Sequence, residues 1–235
     1  MTRPDLDKII VPSGMTPVHS FDIWGVLIDA NVLGGRKVDA YQRLAQEIGI
    51  EPEVIAQNVN DYNALLRGEA WATGERKGAI IDGVEKPLID AHGKVAIDYT
   101  GVFYDDSLTT MRSILDAGEG VIVFSSKPAP WLKQNISPDL AERIGEIYAG
   151  AKNKPEAFRT VVEQERAINR YPVSHTADEL PELKAALQSG LFSPSGLIYI
   201  NRNDSNSEQT VNDAGIKIYV PTLADIRYTS LSKRE

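Results

Sequence analysis

Four short stretches of this chain carry side chains able to do chemistry, and each follows a run of β-forming residues. Phe21-Asp22-Ile23-Trp24-Gly25-Val26-Leu27-Ile28-Asp29 offers carboxylates, and Phe124-Ser125-Ser126-Lys127 offers hydroxyls. Gly150-Ala151-Lys152-Asn153-Lys154 offers lysines, and Asn201-Arg202-Asn203-Asp204-Ser205-Asn206-Ser207-Glu208 offers acids, amides and an arginine. A carboxylate can attack phosphorus or carbon and form a covalent intermediate that water later opens, and Asp22 is the candidate for that role. The charge of an anionic substrate must be met in the transition state, which suits Lys152, the Ser125 hydroxyl and backbone N–H groups at a helix start. Taken singly each feature is bland. An Asp ending a strand is commonly a turn or cap residue, Ser125 alone reads as a cap, and Lys152 alone as a surface residue. Asp204 to Glu208 alone reads as a solvated helix start. The ordered set at four strand ends is what points to a site.

The elements that must position these residues alternate as parallel βα units. Strands are predicted at Val18–Asp22, Val121–Ser125, Glu146–Ala149, Leu197–Asn201 and Ile216–Val220, each rich in Val, Ile, Phe or Tyr. Leu108, Met111, Ile114 and Leu115 form one helical stripe ended by Gly118, and Ser137-Pro138 and Pro155 each open a helix. Ala214-Gly215 closes another. In an open parallel sheet ligands sit outside the carboxyl ends of the strands, where all four stretches fall. The expected fold class is α/β, a Rossmann-like parallel sheet flanked by helices. Residues 1–34 and 105–235 are expected to form this core. Residues 35–104 break its rhythm, first with helical stripes (Val38, Tyr41, Leu44, Ile48; then Ile55, Val59, Tyr62) and then with possible hairpin strands Gly78–Ile81 and Lys94–Asp98. They read as an inserted, mainly helical cap. A second insertion is expected at Glu165–Ser195.

Composition narrows the partners. The net charge of −8 disfavours nucleic acid, so a phosphate-bearing substrate must be small and met by local cations. With no cysteine, disulfides, thiolate chemistry and zinc–thiolate sites are excluded, as expected of a cytoplasmic protein. Residues 1–12 do not read as a signal peptide, and no apolar run is long enough to span a membrane. His19, His92 and His175 lack zinc-ligand spacing, and phosphate-binding glycine loops and nucleophile-elbow serines are absent. Nothing in the sequence reports the oligomeric state.

The four stretches together resemble the haloacid dehalogenase (HAD) superfamily. Asp22-Ile-Trp-Gly-Val-Leu-Ile-Asp29 resembles its nucleophile motif, Leu115-Asp-Ala-Gly-Glu-Gly-Val-Ile-Val-Phe-Ser-Ser126 the segment entering its Ser/Thr motif, Ile147 to Phe158 its lysine motif, and Leu197 to Gly215 its acidic motif. The resemblance implies a HAD core with a cap and catalysis by Asp22, Ser125 and Lys152, with Lys154 competing for the lysine role. Trp24, Ser126, Arg202 and Asn203 would contact a small, anionic substrate. In the family's phosphatases a Mg²⁺ ion is held by hard oxygen ligands, which here would be Asp22, the Trp24 carbonyl and Asp204, with Glu208 second. The pattern departs at Trp24, where phosphatases usually carry a second Asp as general acid/base, a group contributing ~10²–10⁴-fold. The family's dehalogenases carry a tyrosine there, and Val26 replaces a usual Thr. The expected activity is a Mg²⁺-dependent phosphatase acting on a small phosphorylated metabolite. The alternatives are a metal-independent 2-haloacid dehalogenase and a catalytically weakened binding or regulatory protein.

Overall fold

The computed structural model describes residues 9–49, 51, 53–54, 57, 98–125, 129, 131–149, 154–202 and 206–228. The chain divides into two compact units, Met1–Asp29 with Gly101–Glu235, and Ala30–Thr100. Both divisions fall a few residues before the expected ones.

The first unit is built on a six-stranded sheet of β1 (Thr16–Asp22), β2 (Gly120–Ser125), β3 (Ile147–Ala149), β4 (Arg170–Ala177), β5 (Leu197–Ile200) and β6 (Ile218–Val220). The strand order is β3-β2-β1-β4-β5-β6, and every pairing is parallel. The crossovers include α2 (Asp105–Asp116), α3 (Trp131–Gln134), α4 (Pro138–Arg143), α5 (Pro155–Ala167), α6 (Leu180–Gln188) and α7 (Glu208–Asp213). The expected α/β class and parallel sheet are present, and five strands lie within a residue or two of their expected places. Ser137 precedes α4 with Pro138 at its first position, as expected. Its hydroxyl accepts from Arg112 and makes no capping bond to the helix.

One expectation is overturned. Residues 165–195 are not an insertion but the end of α5, the whole of β4, and α6. β4 lies at the centre of the sheet, directly beside β1. Its sequence Arg-Tyr-Pro-Val-Ser-His-Thr-Ala reads as loop because Pro172 is a poor strand former and the polar Ser174, His175 and Thr176 break the apolar run expected of a buried strand. Each polar side chain is satisfied inside the sheet, Ser174 by His19, His175 by Ser20 and Glu182, and Thr176 by Tyr228. Pro172 is tolerated beside a register shift, where the pairing passes from Val18↔Pro172 to His19↔Ser174.

Register assigns the faces. Ser20 is level with Ile122 on one side and His175 on the other, so these share the face that also carries Val18 and Phe124. That face packs under α5 and α6, where the Phe158 ring lies 4.8 Å from Phe124 and 5.0 Å from His175. Burying Phe158 contributes about 1.5–3 kcal/mol. On the opposite face Tyr228 covers His19 and Phe21 at ring distances of 5.1 and 5.6 Å. Burial raises the Tyr228 hydroxyl far above its ordinary pKa, so it stays a neutral partner for Thr176.

The second unit contains α1 (Ala30–Ile48), which covers the expected stripe from Val38 and ends at Gly49 with φ 69°. Arg36 reaches Asp98 at 3.6 Å with both side chains about half exposed, a pair worth at most about 1 kcal/mol. The stripe from Ile55 lies mostly outside the described residues, as do the possible hairpin strands Gly78–Ile81 and, but for Asp98, Lys94–Asp98. Among the described residues no helix is long and apolar enough to cross a membrane.

Candidate active site

Asp22 is the last residue of β1 and is fully buried. The chain then turns sharply and closes on itself. The Ile23 carbonyl accepts from the N–H groups of Leu27 and Ile28 at 2.9 and 3.0 Å, and the Gly25 N–H donates to the Ile28 carbonyl at 3.1 Å. Ile23, Val26, Leu27 and Ile28 are all buried, which explains the apolar run after the carboxylate. The turn is fastened from outside as Asp29 N–H donates to Val102, Tyr104 N–H to Leu27, and the Ser107 hydroxyl to Val26. Its consequence for Asp22 is direct, because the Ile23 N–H donates to Asp22 Oδ1 at 2.7 Å and fixes the carboxylate.

The strands on either side of β1 end close to the level of this carboxylate. Asp22 is level with Phe124, so Ser125, buried at the end of β2, stands one residue beyond it. On the other side Phe21 is level with Thr176, so the chain leaving β4 passes Asp22 at Ala177-Asp178. Asp178 lies against the nucleophile turn itself. Gly25 has φ 68°, and a Cβ there would collide with the Asp178 carboxylate and come within 3.2 Å of its Cβ. Only glycine allows both the left-handed turn and this approach. Asp178 was not recognised in the sequence because β4 was not. Its signal was nevertheless present as Thr176-Ala-Asp178-Glu179-Leu-Pro181, an acid between a strand end and a proline-started helix.

Trp24 is half-buried and tilts at 57° towards Trp131, with ring centroids 6.5 Å apart. An aromatic pair therefore stands beside the carboxylate turn, at the position that departs from the phosphatase pattern. Arg202, expected to meet substrate, is engaged within the protein. Its Nη2 donates to both oxygens of Asp106 at 2.8 Å, and its guanidinium lies 3.9 Å over the Tyr104 ring. Burial, helped by the Asp29 charge, raises the Tyr104 pKa, against the lowering effect of Arg202. Asp106 Oδ2 also accepts from the Leu223 N–H at 2.8 Å, so one ion pair joins the end of β5, the start of α2 and the turn after β6. With side chains only 10% and 17% exposed, Arg202→Ala is expected to lower unfolding free energy by about 1.5–3 kcal/mol. A urea titration measures it, and an unchanged midpoint would contradict this tying role.

Glu208 is exposed at the start of α7, beyond β5. Ser126, Lys152, Asn203 and Asp204 lie outside the described residues, and Lys154 is the exposed residue before α5. Strand order separates the two acidic candidates, because β4 adjoins β1 whereas β5 is one strand further. At about 4.8 Å per strand, a residue ending β4 starts about 5 Å from Asp22's strand and one ending β5 about 10 Å away. Among the described residues no three His, Cys, Asp or Glu side chains form a metal-binding cluster. Two carboxylates at adjacent strand ends do suit Mg²⁺, which takes one or two carboxylates and keeps several waters. A cavity of about 670 Å³ runs along β3 and α5 past Phe124, Tyr148 and Gln164, and Asp22 is not among its lining residues.

No family model matches this sequence, and no curated protein matches it. Solved structures do resemble it. A dehalogenase is 18% identical, with a TM-score of 0.51 and coverage of 92% of this chain and 96% of the other. A HAD phosphatase from Thermococcus onnurineus is 15% identical, with a TM-score of 0.56 and coverage of 89% and 95%. A candidate HAD-hydrolase from Bacillus subtilis bound to magnesium is 14% identical, with a TM-score of 0.56 and coverage of 88% and 94%. This chain therefore has the fold of the haloacid dehalogenase-like hydrolases.

Proposed function

We propose that the chain is a hydrolase with Asp22 as nucleophile, and specifically a Mg²⁺-dependent phosphatase of a small phosphorylated metabolite. The observation that carries this reading is a buried, N–H-oriented carboxylate at the end of β1, flanked by Ser125 and Asp178 from the adjacent strands. An Asp22 oxygen bonds to phosphorus while the bond to the leaving oxygen breaks. Water then attacks phosphorus, releases inorganic phosphate and restores the carboxylate. The Ser125 hydroxyl and Lys152 are assigned to the phosphoryl oxygens. Mg²⁺ would be held by Asp22, the Trp24 carbonyl and Asp178, with Asp204 the second choice for the acid, and would neutralise charge on the transferring group. Asp178 replaces Asp204 as first choice because it lies against the turn that carries Asp22. The unit Ala30–Thr100 is assigned as the cap that selects the substrate.

Trp24 shapes the reaction. An indole cannot protonate a leaving alkoxide, so the enzyme should favour leaving groups that depart as weak bases. Purified protein with MgCl₂ is expected to hydrolyse p-nitrophenyl phosphate at least about tenfold faster than a simple alkyl phosphate, and to stop with EDTA. Equal rates on both esters would show that another group supplies the proton.

The tilted Trp24–Trp131 pair also favours a second reading. An apolar wall beside Asp22 suits attack on the halogen-bearing carbon of a 2-haloacid, with halide leaving and water then opening the Asp22 ester. Halide release unaffected by EDTA selects this reaction. A protein that does neither, yet binds a metabolite, is a binding module.

A further inference from the structure

The sheet centre holds two buried hydrogen-bonded relays that the chemistry above leaves unexplained. On the α6 face Ser20 of β1 meets His175 Nδ1 at 3.0 Å, and His175 Nε2 meets Glu182 Oε1 of α6 at 2.8 Å. On the other face Ser174 of β4 meets His19 Nδ1 at 2.7 Å, and His19 Nε2 meets Glu119 Oε2 at 2.7 Å. All six residues are at most 5% exposed, so neither relay is a nucleophile system open to substrate. Because a carboxylate only accepts, each imidazole donates from Nε2, and in its neutral form Nδ1 accepts the serine hydroxyl.

The relays differ in where they end. Glu119 sits in the turn leading into β2, on the side where the strands begin. Glu182 sits in the first turn of α6, four residues after Asp178, on the side where the strands end. The α6 relay therefore fastens both flanks of Asp178. His175 lies three residues before it on β4 and Glu182 four residues after it, and the two are bonded to each other. Ser20, two residues before Asp22, ties that pair to β1. The link from Asp22's strand to the Asp178 turn is thus a chain of two hydrogen bonds in the buried interior, where they are stronger than at a surface.

We propose that Glu182, acting through His175 and Ser20, is a positioning residue that holds the Asp178 carboxylate against Gly25 beside Asp22. The proposal rests on the assignment of Asp178 to the cation site, and the Glu119 relay provides its internal control. Glu182→Ala and Glu119→Ala each leave a buried imidazole without its carboxylate, so both destabilise the fold. Only Glu182→Ala releases the Asp178 turn. Outer partners of metal ligands typically tune affinity by about 10–100-fold.

The test compares Glu182→Ala, Glu182→Gln and Glu119→Ala with the parent protein, at a temperature where all are folded. It measures MgCl₂ affinity by titration calorimetry, kcat and KM on p-nitrophenyl phosphate, and amide hydrogen exchange of the Asp178–Leu180 turn. Glu182→Ala should weaken Mg²⁺ binding at least about tenfold, lower kcat more than it raises KM, and speed exchange at the turn. Glu182→Gln, which keeps a carbonyl acceptor for His175, should restore these to within about twofold. Glu119→Ala should lower the unfolding temperature alone. Glu182→Ala matching Glu119→Ala in affinity, kinetics and turn exchange would overturn the proposal. A parent protein that neither binds Mg²⁺ nor turns over would instead sink the phosphatase reading. Exchange at the turn would then decide the positioning role, a selective rise with Glu182→Ala supporting it and no difference from Glu119→Ala overturning it.

Discussion

Asp22→Asn is expected to abolish turnover, by about 10⁴-fold or more, while the protein stays folded. The amide matches the carboxylate in size and keeps its oxygen as acceptor for the Ile23 N–H, so the turn is preserved. What is lost is the charged oxygen that forms the covalent bond, and an amide oxygen is a far poorer nucleophile. The same loss is expected for phosphate ester and 2-haloacid alike, since both readings use this atom. Initial rates together with a thermal melt check it. A folded Asp22→Asn protein retaining more than about a hundredth of the parent rate would show that Asp22 orients rather than attacks.

Asp178→Asn should lower kcat/KM for p-nitrophenyl phosphate by about 10²–10³-fold, an electrostatic loss of the size seen when one donor to a developing charge is removed. Much of this deficit should be recovered by raising MgCl₂, because one anionic ligand is missing rather than the reaction itself. Gly25→Ala reaches the same carboxylate by another route. Its Cβ occupies the space of the Asp178 carboxylate, and at φ 68° the side chain adds about 1–2 kcal/mol of backbone strain. Both variants should share the raised Mg²⁺ requirement. Full activity at ordinary Mg²⁺ in Asp178→Asn would return the acidic role to Asp204.

The contrast between Asp178 and Asp204 shows what the sequence conveyed and what it hid. β2, β5 and β6 were legible because strands buried on both faces carry Val, Ile, Leu, Phe and Tyr in nearly unbroken runs, and β1 was legible from Val18 and Phe21 leading into the Asp22 stretch. Asp22 and Ser125 could be placed at strand ends for the same reason. β4 was hidden because its interior is polar and its stability comes from partners far along the chain. Ser174 and His175 each bond to a residue 155 positions away, a pairing that no local pattern reveals. With that strand unread, the acids the sequence offered were those after β5, Asp204 and Glu208, and not Asp178. His19 and His175, which lack metal-ligand spacing, proved to be cross-strand ties rather than isolated residues. Arg202 was legible as a cation near the strand ends, but its bond to Asp106, 96 residues away, depends on tertiary structure alone.

The central claim is that Asp22 becomes covalently bonded during the reaction. Mass spectrometry of acid-quenched protein during turnover of p-nitrophenyl phosphate tests it, after borohydride reduction of any acyl phosphate. The account predicts homoserine at position 22 in a fraction of the protein, dependent on substrate and absent without it. Turnover confirmed in the same sample with position 22 unmodified, or with the label on another residue, would contradict it.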